Sequence, residues 1–122
     1  QIRFHGFQKD IRTFLKNTDA VIMPSHTEGL PMVLIEACCF GVPILASKVG
    51  GIPELVKHED NGYLFPIRSP KSILESIIMF KKKKEEIKSN ALKTAHTSIV
   101  KFSVENWVSE HIRIYNTCFN QE

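Results

Sequence analysis

Residues 24–47 read PSHTEGLPMVLIEACCFGVPILAS. The stretch divides by chemistry into a polar loop to Leu30, an apolar run over 32–40, and a second apolar run over 42–47. Pro31 at a first-turn position and Gly41 after the last turn mark a helix over 31–40. VPILAS, at 42–47, reads as a strand. Two glutamates stand in the stretch, Glu28 in the loop and Glu36 inside the apolar run, with seven residues between them. Val33, Leu34, Ile35, Ala37, Cys38, Cys39 and Phe40 leave the helix little polar face around Glu36. A buried carboxylate without partners is costly, so its presence asks for a reason.

Outward from this stretch, apolar runs alternate with helical patterns. IRFHGF (2–7) reads as a strand. DIRTFLKNTD (10–19) carries Ile11, Phe14 and Leu15 on one helical face, with Asp10 placed as N-cap. AVIMPS (20–25) is too short for a helix and suits a buried parallel strand. Downstream, GGIPELVKHEDNG (50–62) reads as a glycine loop, a short helix at 53–57 and a turn at Asn61 and Gly62. YLFPI (63–67) is a fourth strand. Ser69 as N-cap and Pro70 at N1 open a helix over 69–80. Helices over 84–98 and 103–119 follow. The last carries Val104, Trp107, Val108, His111, Ile112 and Tyr115 along one face. Strand and helix alternating at this spacing predict an α/β fold: a Rossmann-like parallel sheet flanked by helices, with helices at the C-terminal end.

At 122 residues the chain is one domain at most, 1–122. No apolar run is long enough to span a bilayer, and no signal peptide stands at the start. QIRFHGF reads as a strand already under way, so the expectation is a fragment of a longer protein. The three cysteines have no metal-ligand spacing and no disulfide framework, and the default setting is reducing and cytoplasmic. Buried thiols usually act as small hydrophobes. Much of the net charge of +3 comes from the lysine run 81–84. Two readings of it stay open: a solvated helix end, or peripheral contact with an anionic membrane surface or polyanionic partner. No aromatic residues interleave with the lysines, so a nucleic-acid platform has no support.

Ligands of open parallel sheets bind at the carboxyl ends of strands, near helix N-termini. MPSHTEGLP (23–31) is such a place. Gly29 lets backbone approach a ligand. The helix beginning near Pro31 offers free N–H groups, those of Met32 and Val33, as a seat for phosphate. Glu36 lies one turn beyond Met32 on the same face, roughly 6 Å along the axis. That is the step from a diphosphate to the hydroxyls of an attached ribose, which an ionised carboxylate accepts well. Glu28, on the other side of the helix start, would meet a second polyol. The competing readings are a solvent-facing Glu36 and a plain loop acid at Glu28. The convergence of both glutamates, Gly29, the helix start and the flanking strands favours a site.

The run DAVIMPSHTEGLPMVLIEACCFGVPILASKVGGIPELVKHEDNGYLFP, 19–66, resembles the donor-binding core of retaining glycosyltransferases of the GT-B fold, family 4 type, with their E-x7-E signature. PS before the pair, G and P after its first glutamate and GG-PE beyond make the likeness specific. It extends back to FHGF and is looser in the final helices. The resemblance implies that Glu28 contacts hydroxyls of the transferred sugar, which makes it the one catalytic candidate. It implies that backbone N–H groups at Gly29 and Leu30 lie by that sugar. Met32 and Val33 would hold the donor diphosphate, and Glu36 the nucleotide ribose. Gly6 and Phe7 fall where the base usually lies, and Gly50 and Gly51 match a glycine turn at the cleft edge. Pro31 stands where many members have glycine and removes one N–H.

The implied function is the donor half of an enzyme that moves a sugar from a nucleotide diphosphate sugar to a glycan or lipid-linked acceptor. No cofactor and no metal are implied, and no nucleic acid. The family's basic pair, Arg and Lys, would precede residue 1, as would the acceptor domain with its histidine. His5, His26 and His58 do not replace that histidine. By itself this chain is therefore expected to be inactive, and located in the cytoplasm or peripherally at the inner face of the membrane. The resemblance also implies that the last helix crosses back toward the other domain, leaving Trp107 and Tyr115 uncovered here; ordinary packing on this sheet is the alternative. The rival functions are a non-catalytic nucleotide- or sugar-binding module and a bare structural α/β domain.

Overall fold

A computed structural model describes residues 1–119. Its frame is a sheet of three parallel strands, β1 (Val21–Met23), β2 (Ile44–Ser47) and β3 (Gly62–Phe65), in the order β1-β2-β3. Val21 pairs with Ile44 and Met23 with Ala46; Ile44 pairs with Gly62 and Ser47 with Phe65. The helices are α1 (Arg12–Lys16), α2 (Met32–Cys39), α3 (Ile52–Leu55), α4 (Pro70–Lys82), α5 (Lys84–Lys101) and α6 (Val104–Phe119). α2 links β1 to β2, and α3 links β2 to β3.

β2 is buried at all four positions. Its side chains alternate between two cores, as the two-residue repeat of a strand requires. Ile44 and Ala46 join Leu34, Ala37 and Cys38 of α2 and Ile52 and Leu55 of α3. Leu45 joins Tyr63 and Phe65 of β3, Phe80 of α4 and Ile87 of α5 on the other face. A strand buried on both faces reads as a continuous apolar run, which is why PILA carries no polar alternation. Cys38 belongs to the first core. Burial pushes its thiol up to about 11, so it behaves there as a small apolar side chain.

The N-terminal third differs from the sequence reading. Residues 1–8 form no strand, and Ile2, Phe4 and Phe7 are exposed. The sheet therefore has three strands among the described residues, not four. Alternation in 2–7 satisfies the pattern of a strand, but a strand also needs a neighbour to take its hydrogen bonds, and no described element lies alongside. The helix expected over 10–19 contracts to α1. Asp10 accepts from the Arg12 backbone N–H at 3.0 Å and binds its guanidinium at 2.7 Å. At the other end Asn17 and Thr18 turn their side chains back onto Thr13 O and Phe14 O. These local bonds compete with helix propagation.

The later elements follow their signals. Ser69 caps α4, accepting from Ser72 N–H at 3.3 Å, with Pro70 first in the helix. Two cations of the lysine run, Lys81 and Lys82, occupy the last turn of α4, where the helix dipole favours them. Lys84 leaves the run to bind Asp19 at 2.8 Å, and Lys88 joins it at 3.0 Å. These bonds, Lys84's first, hold the exposed Asp19 carboxyl below its ordinary range. α6 buries none of its side chains. Trp107 and Tyr115 are 61% and 59% exposed, so this domain's strands do not enclose them.

Past the C-cap Phe40 of α2 stands Gly41, whose φ is +66° and on which a Cβ would lie 2.8 Å from the Leu92 Cα of α5. Both the left-handed backbone and the helix–helix approach need glycine there. Gly41→Ala is expected to lower unfolding stability by at least about 2 kcal/mol, from backbone strain and overpacking together. Urea denaturation checks this; an unchanged midpoint would mean that α2 and α5 separate without cost.

Candidate functional site

The loops after β1 and β2 emerge at the same end of the sheet, because the strands are parallel neighbours. The first, from Pro24 to Pro31, carries Glu28. The second carries Gly50 and Gly51. They touch directly: Gly51 N–H donates to Gly29 O at 2.7 Å. Glu28 is half-buried, while Gly29 and Leu30 are exposed. A Cβ on Gly29 would meet nothing within 4 Å, so the outer side of the loop is open to an approaching group.

α2 begins where this loop ends. Pro31 is its N-cap, with φ −69° and ψ 124°, one position earlier than the first-turn place expected. Pro31 O accepts from Leu34 N–H at 3.0 Å and Ile35 N–H at 3.2 Å. Met32 and Val33 N–H precede the first of these bonds, and no side chain caps the helix. α2 thus presents two free donors and the positive end of its dipole beside the Glu28 loop.

Glu36 corrects one expectation. It is half-buried, not enclosed. α2 turns Leu34, Ala37 and Cys38 into the core and leaves Glu36 at the boundary. The ion pairs among the described residues lie elsewhere and involve neither Glu28 nor Glu36. The carboxylate therefore needs no structural partner. Its charge is felt by Cys39, one turn on, whose thiol is raised by burial first and by Glu36 second.

Other assigned residues fall differently. Gly6, at φ +63°, and Phe7 lie in the exposed N-terminal segment. That segment packs through His5, whose ring meets Phe14 of α1 edge-on at 5.0 Å. His26 is exposed in the Glu28 loop. His58 serves the fold, since its Nδ1 accepts from Leu64 N–H at 3.0 Å and closes the outer edge of β3. Among the described residues no three His, Cys, Asp or Glu side chains come close enough to hold a metal ion. Among them, too, no helix is long and apolar enough to cross a membrane.

Sequence reasoning missed one feature. Leu30, Met32 and Ile35 form one wall of an apolar groove of about 460 Å³, whose other wall is Phe102, Val104, Trp107 and His111. Trp107 and His111 stack with ring centroids 3.9 Å apart. The helical spacing of the α6 stripe was readable, but its juxtaposition to the start of α2 depends on a turn at Phe102 and Ser103 that composition does not specify.

Comparison with known proteins identifies the family. The model for "Glycosyl transferases group 1" matches residues 1–97. N-acetyl-alpha-D-glucosaminyl L-malate synthase of Bacillus anthracis is 33% identical over 116 residues, covering 94% of this chain and 30% of that protein. Sucrose-phosphate synthase of Thermosynechococcus elongatus has the same fold, with a TM-score of 0.78 over 92% of this chain and 28% of that one, at 21% identity. HepE of Anabaena, solved in complex with UDP, superposes with a TM-score of 0.71 at 31% identity, over 95% of this chain and 31% of that one. HepE has also been solved with UDP-glucose. The chain spans about 30% of the length of the curated relatives that it matches along most of itself. Matched over residues 1–97 and one-third identical to a relative along 94% of its length, the chain belongs to the glycosyl transferases group 1 family, built on the Rossmann-like sheet of the GT-B fold.

Proposed function

We propose that this chain is the donor-binding half of a retaining glycosyltransferase of the family 4 type. It takes a nucleoside diphosphate sugar, and the full-length enzyme passes the sugar to a glycan or lipid-linked acceptor. The observation that carries the reading is the uncapped start of α2, with Met32 and Val33 N–H free, set between the Glu28 loop and Glu36. HepE, solved with UDP and UDP-glucose, supports a uridine nucleotide as the donor.

The roles follow from the chemistry. The diphosphate sits on Met32 and Val33 N–H at the positive end of α2. Glu36, roughly 6 Å along the helix, accepts from the vicinal ribose hydroxyls. Glu28 accepts from hydroxyls of the transferred sugar, next to the backbone of Gly29 and Leu30, and is the catalytic residue of this half in that sense. Gly6 and Phe7 lie on the base side. As the glycosidic bond breaks, charge builds on the leaving diphosphate while the sugar becomes oxocarbenium-like. Fixed N–H dipoles stabilise that charge without reorganising. A basic pair from elsewhere in the full protein adds to that stabilisation. The acceptor attacks from the same face, so no protein nucleophile is required. Without the acceptor half nothing holds an attacking hydroxyl against the donor, so this chain binds but does not transfer. The lysines at 81 and 82 are free to rest on an anionic membrane surface.

Two substitutions in the full-length protein test the assignment by calorimetry. Glu36→Ala removes a charge-assisted hydrogen bond of about 1.5–3 kcal/mol, so UDP affinity is expected to fall roughly tenfold to a hundredfold. Folding is expected to survive, since Glu36 has no ion pair to lose and Ala favours helix. Unchanged affinity would remove Glu36 from the site. Glu28→Ala is expected to weaken an intact UDP-sugar far more than UDP. Equal losses for the two ligands would detach Glu28 from the sugar.

A further inference from the structure

We propose that the turn of Gly50 and Gly51 is the positioning element of the Glu28 loop: it fixes where the Glu28 backbone stands, and through it the reach of the carboxylate to the donor sugar. The proposal rests on the assignment of Glu28 to that sugar. Gly50 has φ +50°, and a Cβ on it would run into the Glu28 carbonyl oxygen, with Gly29 O at 2.8 Å and Glu28 C at 2.9 Å. All three are backbone atoms, which cannot swing aside as the end of a side chain does. The next residue, Gly51, donates its N–H to Gly29 O at 2.7 Å. A Cβ on Gly51 would meet Leu30 Cδ1 at 2.9 Å and Gly29 O at 3.0 Å. Three consecutive residues of the loop, Glu28, Gly29 and Leu30, are thus held from below by two glycines.

The turn is itself anchored. Ile52 N–H donates to Val49 O at 3.1 Å, Glu54 N–H to Gly51 O at 3.0 Å, and Val49 N–H to Ser47 O at 2.9 Å. Ile52 is fully buried in the α2 and α3 core. Position is therefore passed from the core through Ile52 to Gly51, and from Gly51 to Gly29. The opposite side of the loop is open at Gly29. A group pressing on the loop from that side meets a backbone that cannot retreat, which is the condition for a carboxylate to hold its geometry against a ligand.

Binding of UDP-glucose and UDP to the full-length protein, as probes, separates positioning from plain stability. Glu28→Ala is the reference variant. Gly50→Ala is expected to lose UDP-glucose affinity tenfold or more while UDP affinity changes less than about twofold. The double variant Glu28→Ala/Gly50→Ala is expected to bind UDP-glucose no more weakly than Glu28→Ala, because both changes act on one contact. Gly51→Ala is expected to show a smaller loss with the same selectivity, and it decides the matter alone if Gly50→Ala does not fold. Equal losses for both ligands, no loss, or additive losses in the double variant would overturn the positioning role. If Glu28→Ala itself does not distinguish the two ligands, the assignment of Glu28 to the sugar falls, and this role falls with it.

Discussion

The structure depends on one constraint: β2 pairs in parallel on both edges and is buried on both faces. Parallel pairing with β1 brings the ends of both strands to the same side, so the loops that follow them are neighbours. Burial on both faces forces α2 and α3 onto one side of the sheet and α4 and the start of α5 onto the other. The start of α2 then has no freedom to lie anywhere but at the strand ends. The free N–H groups, the Glu28 loop and the glycine turn converge because β2 has no other way to be covered.

Charge is distributed in keeping with that geometry. The end of the sheet that carries the site offers backbone donors and two carboxylates without ion-pair partners among the described residues. The cations of the lysine run lie elsewhere, at the last turn of α4 and on Asp19. A diphosphate at α2 would draw on the N–H dipoles of this chain. The apolar wall of Leu30 and Met32 borders the same loop and faces the uncovered stripe of α6.

Much of this was legible in the sequence, and what was not has physical causes. Helix boundaries at Ser69, Pro70 and Gly41 were readable because caps and breakers act locally. The apolar run at 42–47 identified a strand but not that both its faces are covered, whereas the run at 20–25, read as a buried strand, is the partly exposed edge strand β1. Residues 2–7 misled because alternation reports a preference for extended backbone and does not supply a partner strand. Glu36 looked enclosed because its sequence neighbours are apolar, yet burial is decided by what packs across the helix, and α2 leaves Glu36 half-buried at the edge of the core. The pairing of Asp19 with Lys84 and Lys88, more than 60 residues away, and the clamp of Gly50 on Glu28 are contacts between distant segments. Periodicity carries no information about such contacts; only the double glycine hinted at a close approach.

The most direct measurement is a structure of the full-length protein with a UDP-sugar bound. Diphosphate oxygens are expected about 3 Å from Met32 and Val33 N–H, with ribose hydroxyls on Glu36 and sugar hydroxyls on Glu28. A nucleotide seated in the groove between Met32 and Trp107, or with its diphosphate turned away from α2, would contradict the donor site assigned to this chain.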